Sequence, residues 1–206
     1  LRETVGDDTG ADEVTVRAHT RTHAAAVKLT PGPGPLQIPE GDFDVALSQP
    51  DGTVAALRGD GVLTEKIAGR YFRFDITSFF QVTTSGAEAL TSAVLEAAGD
   101  IEGAYLWDLY AGVGLLSLPM VAAGAQVIAV EGDTTAAEYA RINARENHLD
   151  LEVVADDVAA VVRRAASGNR GPIPNDATGP ADPPDVIVLD PPRQGAGERV
   201  ITDLVR

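Results

Sequence analysis

The feature that most constrains the fold is a regular alternation of short apolar runs with amphipathic segments in the second half of the chain. The apolar runs have the length and composition of buried strands, and the segments between them place apolar residues at helical spacing. The predicted strands lie at 104–110, 126–131, 151–156 and 186–190, and the predicted helices at 85–98, 115–124, 134–147 and 158–167. A capping box, Ser85 with Glu88, marks the first helix start. Strands that alternate with helices predict an α/β fold with a parallel, doubly wound sheet.

A region with a different sequence pattern precedes that alternation. It consists of short, partly alternating runs separated by turn formers such as the sequence PGPGP at 31–35. Gly52 follows Pro50 and Asp51, and its tolerance of a positive φ suits a tight hairpin turn. The predicted strands are 13–20, 24–30, 43–49, 53–59 and 69–76. We therefore expect a small antiparallel β region before the α/β domain.

These sequence patterns divide the chain into three parts. Residues 1–12 are acidic and lack apolar periodicity, so we expect a flexible terminus there. The β-rich region covers 13–76, and the α/β domain covers 77–206. Within that domain, residues 168–185 are rich in Pro, Gly and Asp, which predicts a surface loop insertion.

Composition excludes several classes of function. The chain has no cysteine and only three scattered histidines, which removes disulfides, thiolate metal sites and cysteine nucleophiles and predicts no metal site. The formal net charge of −15 opposes binding to nucleic acid unless a local basic patch overrides it. No apolar run approaches the roughly 18 residues of a membrane span, and the first residues do not resemble a signal peptide. We therefore expect a cytoplasmic protein without a membrane partner.

The turn after the first parallel strand has the features of a cofactor site. Asp108 and Tyr110 lead into Gly112 and Gly114, and Glu131 ends the next strand. Glycines let a ligand approach the backbone, and a strand-end acid can accept both hydroxyls of a ribose. A nicotinamide dinucleotide and S-adenosylmethionine both fit this pattern. The carboxylate of Asp108 would repel a pyrophosphate but suits a cationic α-amine, which favours S-adenosylmethionine.

A second group follows the fourth parallel strand. It reads Asp190-Pro191-Pro192-Arg193. Ligands of open α/β sheets bind outside the carboxyl ends of the strands, and two prolines fix a rigid, extended turn there. Asp190 and the proline carbonyls would thus be presented to a flat substrate.

Five motifs together resemble the RNA 5-methyluridine methyltransferase family in order and spacing. They are Phe79-Phe80-Gln81-Val82-Thr83, the stretch from Asp108 to Gly114, Glu131, the helix stretch from Ala140 to Asn147, and the stretch from Asp190 to Ala196. The resemblance covers about residues 70–206. It implies a Rossmann-like class I methyltransferase sheet, S-adenosylmethionine as cofactor, and methylation of C5 of uridine in tRNA or rRNA, so RNA would be the partner.

The resemblance also implies a role for individual residues. Gln81 would contact the cofactor, Tyr110 would lie beside it at the glycine turn, and Glu131 would bind the ribose hydroxyls. Asp190 would lie between the cofactor and the base. Either Asp156 or Asp157, after the third strand, would contact the adenine. The sequence does not decide between these two neighbours.

The chain also departs from the family pattern. In the family, a cysteine attacks C6 of uracil and a carboxylate removes the C5 proton, and both groups come after the Asp-Pro-Pro-Arg turn. This chain has no cysteine, so we assign it no catalytic residue. We expect a fragment whose sheet is incomplete at the C-terminus and which is inactive alone. The alternatives are a methyltransferase with another acceptor, such as an exocyclic amine, and a nicotinamide-binding oxidoreductase. Arg193 counts against the first, because an aromatic residue would suit it there.

Overall fold

The computed structural model describes residues 9–18, 24–81, 83–167 and 183–205. Six strands come first along the chain. They are β1 (Ala11–Ala18), β2 (Ala25–Pro31), β3 (Asp44–Ser48), β4 (Val54–Arg58), β5 (Val62–Ile67) and β6 (Arg70–Asp75). The first four form one sheet in the order β1-β2-β3-β4, and the last two form a separate hairpin.

The predicted antiparallel arrangement holds for three of the four strand pairs in this region. The pairs β1–β2, β3–β4 and β5–β6 are antiparallel, whereas β2 and β3 are parallel. The reason is the segment 32–43, which carries the chain across to start β3 in the direction of β2 instead of turning it back. Strand β1 begins at Ala11, inside the segment predicted to be flexible, and Gly10 accepts a backbone hydrogen bond from Gly32 (3.1 Å).

Strand β5 was not predicted, because a carboxylate occupies one of the inward-facing positions of its alternating pattern. Glu65 is fully buried between the inward residues Leu63 and Ile67. Its oxygens accept from the backbone N–H of Lys66 (2.7 Å) and from the hydroxyl of Thr84 (3.0 Å). A charged residue at a core position hides the alternation of period two by which a strand is recognised.

The α/β domain follows, with the predicted parallel sheet. Its strands are β7 (Tyr105–Leu109), β8 (Gln126–Glu131), β9 (Glu152–Ala155) and β10 (Val186–Leu189), and its helices are α1 (Thr84–Ala98), α2 (Ser117–Ala122), α3 (Thr134–Glu146), α4 (Val158–Ala166) and α5 (Glu198–Leu204). The strand order is β10-β7-β8-β9, and all three pairs are parallel. The sequence did not predict the short helix α5.

Both faces of this sheet are covered, which explains why its strands read as continuous apolar runs. On one face Leu106 packs with Leu118 and Met120 of α2. On the other face Trp107 and Leu109 belong to a cluster with the valines of α4. The order change between β7 and β10 lies at the carboxyl ends of the central strands, the place where open α/β sheets bind their ligands. This place is called the crevice below. Within the described ranges, no helix is long and apolar enough to cross a membrane.

Two local predictions are wrong. The first helix is capped by Thr83, whose hydroxyl accepts from the Gly86 N–H, and not by Ser85. Glu88 accepts instead from the Ala68 N–H in the β5–β6 turn (3.3 Å), so the predicted capping box serves a contact between elements. The helix predicted at 115–124 begins only at Ser117, because residues 112–116 form turns.

The predicted loop insertion at 168–185 lies mostly outside the described residues. Its last residue, Asp185, is described and is fixed to β7. The Asp185 N–H donates to the Tyr105 carbonyl (2.8 Å), and its carboxylate accepts from the Tyr105 N–H (2.9 Å). This two-way contact sets the register at which β10 joins the sheet.

Candidate functional site

The glycine turn begins where β7 ends and is held against β8. The N–H groups of Tyr110 and Ala111 both donate to the Val130 carbonyl (2.9 and 3.1 Å). Tyr110 has a φ of 67°, which is uncommon for a residue with a side chain and typical of functional sites. The chain therefore leaves the sheet in a strained turn at the strand ends.

The two glycines of this turn have different surroundings. Both have positive φ, 55° at Gly112 and 89° at Gly114. A Cβ at Gly114 would lie 2.8 Å from Leu118 Cδ1, so this glycine permits close packing of α2. A Cβ at Gly112 would meet nothing within 4 Å. Gly112 therefore borders open space, where a ligand can approach the backbone.

Glu131 joins the ends of β7 and β8. Its Oε2 accepts from the Gly112 N–H (2.7 Å), and its Oε1 accepts from the Asp133 N–H (2.8 Å). Each carboxylate oxygen can accept a further hydrogen bond, because it carries two lone pairs. The same side chain thus orders the glycine turn and retains the capacity to bind a diol.

Asp108 is a buried carboxylate with one unused oxygen. It is 0% exposed, and its Oδ2 accepts from the hydroxyl of Ser117, which is also buried. Oδ1 has no hydrogen-bond partner among the described residues. Burial raises the pKa of Asp108 to about 6 against the opposing effect of the Ser117 hydrogen bond, and the charges of Asp190 and Glu131 raise it further. A buried acceptor without a donor suits a cationic ligand group.

The Asp-Pro-Pro-Arg loop lies beside the glycine turn. The Asp190 N–H donates to the Leu109 carbonyl at the end of β7 (3.4 Å), and Asp190 is exposed. The Tyr110 hydroxyl donates to the Ala196 carbonyl at the far end of the loop (3.5 Å). Two strand ends that are distant in sequence therefore face one crevice.

The structure distinguishes the two aspartates after β9. Asp156 is engaged at both oxygens, by the Asp157 N–H (2.7 Å) and the Arg164 guanidinium (2.6 Å), and the latter lowers its pKa. Asp157 caps α4 by accepting from the Ala160 N–H (2.8 Å). Burial raises the pKa of Tyr110, and the charge of Asp157 contributes to this shift. Both oxygens of Asp156 are therefore engaged, whereas Asp157 uses one oxygen to cap α4.

Gln81 lies just before α1, on a segment anchored by its neighbour. Phe80 is buried and stacks on Phe74 with ring centroids 4.1 Å apart, whereas Phe79 is 74% exposed. Gln81 itself is half-buried, and its side chain has no recorded hydrogen bond within the described ranges. Its contact with a cofactor stays a prediction.

Replacing Gln81 with alanine tests that role. We expect the affinity for S-adenosylhomocysteine to fall about tenfold, the cost of one or two neutral hydrogen bonds. The melting temperature should hardly change, because no recorded internal hydrogen bond is lost. Calorimetric titration and thermal unfolding measure the two effects. A variant that loses stability but binds normally would show that Gln81 is only structural.

Two residues of the site region were not assigned a role from the sequence. One is Ser117, whose hydroxyl donates to the Asp108 carboxylate. Asn143 belongs to the helix motif, and its buried amide reaches both β6 and the glycine turn. The available signal was a polar residue on the alanine-lined, inward face of α3.

Taken together, the site suits S-adenosylmethionine. The buried carboxylate of Asp108 has one oxygen without a donor, Gly112 leaves room beside the backbone, and Glu131 can accept from a ribose. A pyrophosphate would instead meet the carboxylates of Asp108, Glu131 and Asp190. The fold is that of the class I S-adenosylmethionine-dependent methyltransferases.

Comparisons with known proteins identify the family. Residues 82–167 match the model of the methyltransferase small domain. An uncharacterized RNA methyltransferase of Caldanaerobacter subterraneus is 33% identical over 150 residues, which cover 72% of this chain and 30% of that protein. Another, from Streptomyces avermitilis, is 30% identical over 207 residues, covering 97% of this chain and 44% of that protein. The chain belongs to the RNA methyltransferase family of these relatives, as the motifs predicted, and spans less than half of their length.

A solved structure supports the same fold. It is the tRNA (uracil-54, C5)-methyltransferase of Pyrococcus abyssi in complex with S-adenosyl-L-homocysteine. The likeness has a TM-score of 0.66 at 22% identity and covers 92% of this chain and 45% of that one. The shared fold therefore includes much of the β-rich region as well as the parallel sheet.

Proposed function

We propose that this chain is the cofactor-binding part of an RNA methyltransferase that modifies C5 of uridine in tRNA or rRNA. The observation that carries the proposal is the contact between the glycine turn and the Asp-Pro-Pro-Arg loop, through Tyr110 and Ala196. This contact brings a cofactor crevice and a rigid, proline-ordered loop to the same sheet edge. The likeness in fold to the archaeal uracil-C5 enzyme supports the finer assignment.

Each strand-end residue has a place in the proposed site. Glu131 accepts from the ribose hydroxyls, Asp108 Oδ1 faces the α-ammonium, and Gln81 contacts the cofactor from the α1 side. Asp157 lies on the adenine side and is proposed over Asp156, whose oxygens are both engaged. Asp190 lies between cofactor and base. Bound S-adenosylmethionine supplies an electrophilic methyl group.

The residues of this chain bind and orient but do not activate the base. Uracil C5 is a poor nucleophile until a thiolate adds at C6, and the chain has no cysteine. Serine and threonine hydroxyls do not replace a thiolate at neutral pH. The proposed contribution of the chain is therefore to hold the methyl donor and to present the base at the loop.

RNA is proposed as the partner, although the net charge of −15 opposes the approach of phosphates. Local basic groups must therefore make the contact. Arg193 and Arg199 are exposed in and beside the Asp-Pro-Pro-Arg loop and meet this requirement. We propose a cytoplasmic location, where tRNA and rRNA are available to such an enzyme.

Radiolabelled S-adenosylmethionine and unmodified tRNA and rRNA transcripts test this function. The 206-residue chain and the product of its complete gene are assayed in parallel, and the RNA is digested to nucleosides. We expect 5-methyluridine if the gene product supplies a cysteine, and no incorporation by the 206-residue chain. Label in a methylated exocyclic amine would contradict the proposed acceptor. Formation of 5-methyluridine by the short chain would contradict the cysteine mechanism.

A further inference from the structure

We infer that Asn143 is a positioning residue that holds the glycine turn in its cofactor-binding conformation, an inference that rests on the proposed function. Asn143 lies on α3 and is 0% exposed. Its Oδ1 accepts from the Arg73 N–H (2.7 Å), and its Nδ2 donates to the Arg73 carbonyl (3.0 Å) and to the Val113 carbonyl (3.0 Å). One side-chain amide therefore connects α3, β6 and the turn.

The hydrogen bond to the Val113 carbonyl holds the most flexible part of the glycine turn. Val113 lies between Gly112 and Gly114, both in the left-handed region, where glycine gives the backbone its greatest freedom. Glu131 accepts from the Gly112 N–H, and Asn143 donates to the Val113 carbonyl one residue later. With both groups held, the turn is fixed before a ligand arrives, which reduces the entropy lost on binding.

The same amide also fixes the strand that leads to Gln81. Arg73 is near the end of β6, and the chain continues from there to the anchored Phe80 and to Gln81. Asn143 is therefore the side chain that links both cofactor-contacting segments to α3. A shift of either segment would separate groups that must bind the ligand together.

Asn147, the C-cap residue directly after α3, provides a control. Its Oδ1 accepts from the Tyr71 N–H (3.2 Å) and its Nδ2 donates to the Tyr71 carbonyl (2.7 Å), so it contacts the β6 edge in the same way as Asn143. Its third hydrogen bond goes to the Asn143 carbonyl of its own helix (2.8 Å) and not to the turn. The two variants therefore differ in the Val113 contact.

The experiment compares Asn143→Ala with Asn147→Ala at a temperature where circular dichroism shows both to be folded. Both variants should have a lower melting temperature than the wild type. We expect Asn143→Ala to bind S-adenosylhomocysteine about tenfold more weakly, because the freed turn must be ordered on binding, whereas Asn147→Ala binds normally. Amide hydrogen exchange at 110–116 without ligand should accelerate in the first variant only. Equal affinities and equal exchange in the two variants would overturn the inference.

A second variant covers the case in which Asn143→Ala does not fold. Asn143→Asp has nearly the same shape and keeps the acceptor for the Arg73 N–H, but its carboxylate can donate neither to the Val113 carbonyl nor to the Arg73 carbonyl. The same loss of affinity and the same faster exchange are expected, and normal values of both would contradict the inference. If the wild type itself does not bind S-adenosylhomocysteine, the proposed function fails, whereas the exchange measurement still tests whether Asn143 holds the turn.

Discussion

Replacement of Glu131 by alanine is expected to weaken binding of S-adenosylhomocysteine about a hundredfold or more. Two charge-assisted hydrogen bonds to the ribose are lost, each contributing about 1.5–3 kcal/mol. The variant also releases the N–H groups of Gly112 and Asp133, which Glu131 holds in the free protein. Calorimetric titration gives the change in affinity directly.

The control for Glu131→Ala must remove a carboxylate without touching the crevice. Glu102 is exposed in the turn that precedes β7, at the opposite ends of the strands, and Glu102→Ala should bind normally. Glu131→Gln should lie between the wild type and the alanine variant, because an amide retains one acceptor oxygen for the two N–H groups. A Glu131→Ala protein that folds and binds with unchanged affinity would reject the assignment of this crevice as the cofactor site.

The parallel sheet could be predicted because burial on both faces gives continuous apolar strands, and because each strand is separated from the next by a helical segment. The same reasoning fails in the β-rich region. Strand β5 carries the buried Glu65, and the β2–β3 pair is parallel although only a loop connects the two strands. A buried carboxylate with hydrogen-bond partners, such as Glu65, gives no periodic pattern in the sequence. The direction in which the loop between β2 and β3 runs gives none either.

The candidate site likewise contains residues whose positions could be predicted from the sequence and residues whose contacts could not. Residues at strand ends, such as Asp108, Glu131 and Asp190, could be predicted to meet, because parallel strands bring their carboxyl ends to one edge. The partners of Asn143 could not, since Arg73 lies 70 residues away and the contact runs from a side chain to a backbone group. The choice between Asp156 and Asp157 likewise depends on Arg164, a helical residue whose direction only the fold determines.

Binding of S-adenosylhomocysteine is expected to strengthen as the pH rises through about 6 and to level off above about pH 7, because Asp108 must be ionised to pair with the α-ammonium. If only the ionised form binds, the affinity at about pH 5 is about tenfold lower than its plateau. Asp108→Asn should bind about a hundredfold more weakly at neutral pH and lose this dependence on pH, since an amide carries no charge. Asp150→Asn, an exposed change before β9, is the matched control and should retain the wild-type profile.

The same pKa shift predicts that the free energy of unfolding falls as the pH rises, whereas the affinity rises. Measuring both therefore distinguishes titration of Asp108 from other causes of pH-dependent binding. Because its folded-state pKa of about 6 lies above the ordinary 3.8, the folded protein holds this proton over a range in which the unfolded chain has lost it. Without ligand, this group should therefore lower the free energy of unfolding by about 2 kcal/mol as the pH rises from about 4 to about 6. Asp108→Asn should remove that fall, as urea unfolding at several pH values would measure. A rise in affinity that is the same in the wild type and in Asp108→Asn would show that Asp108 does not cause it.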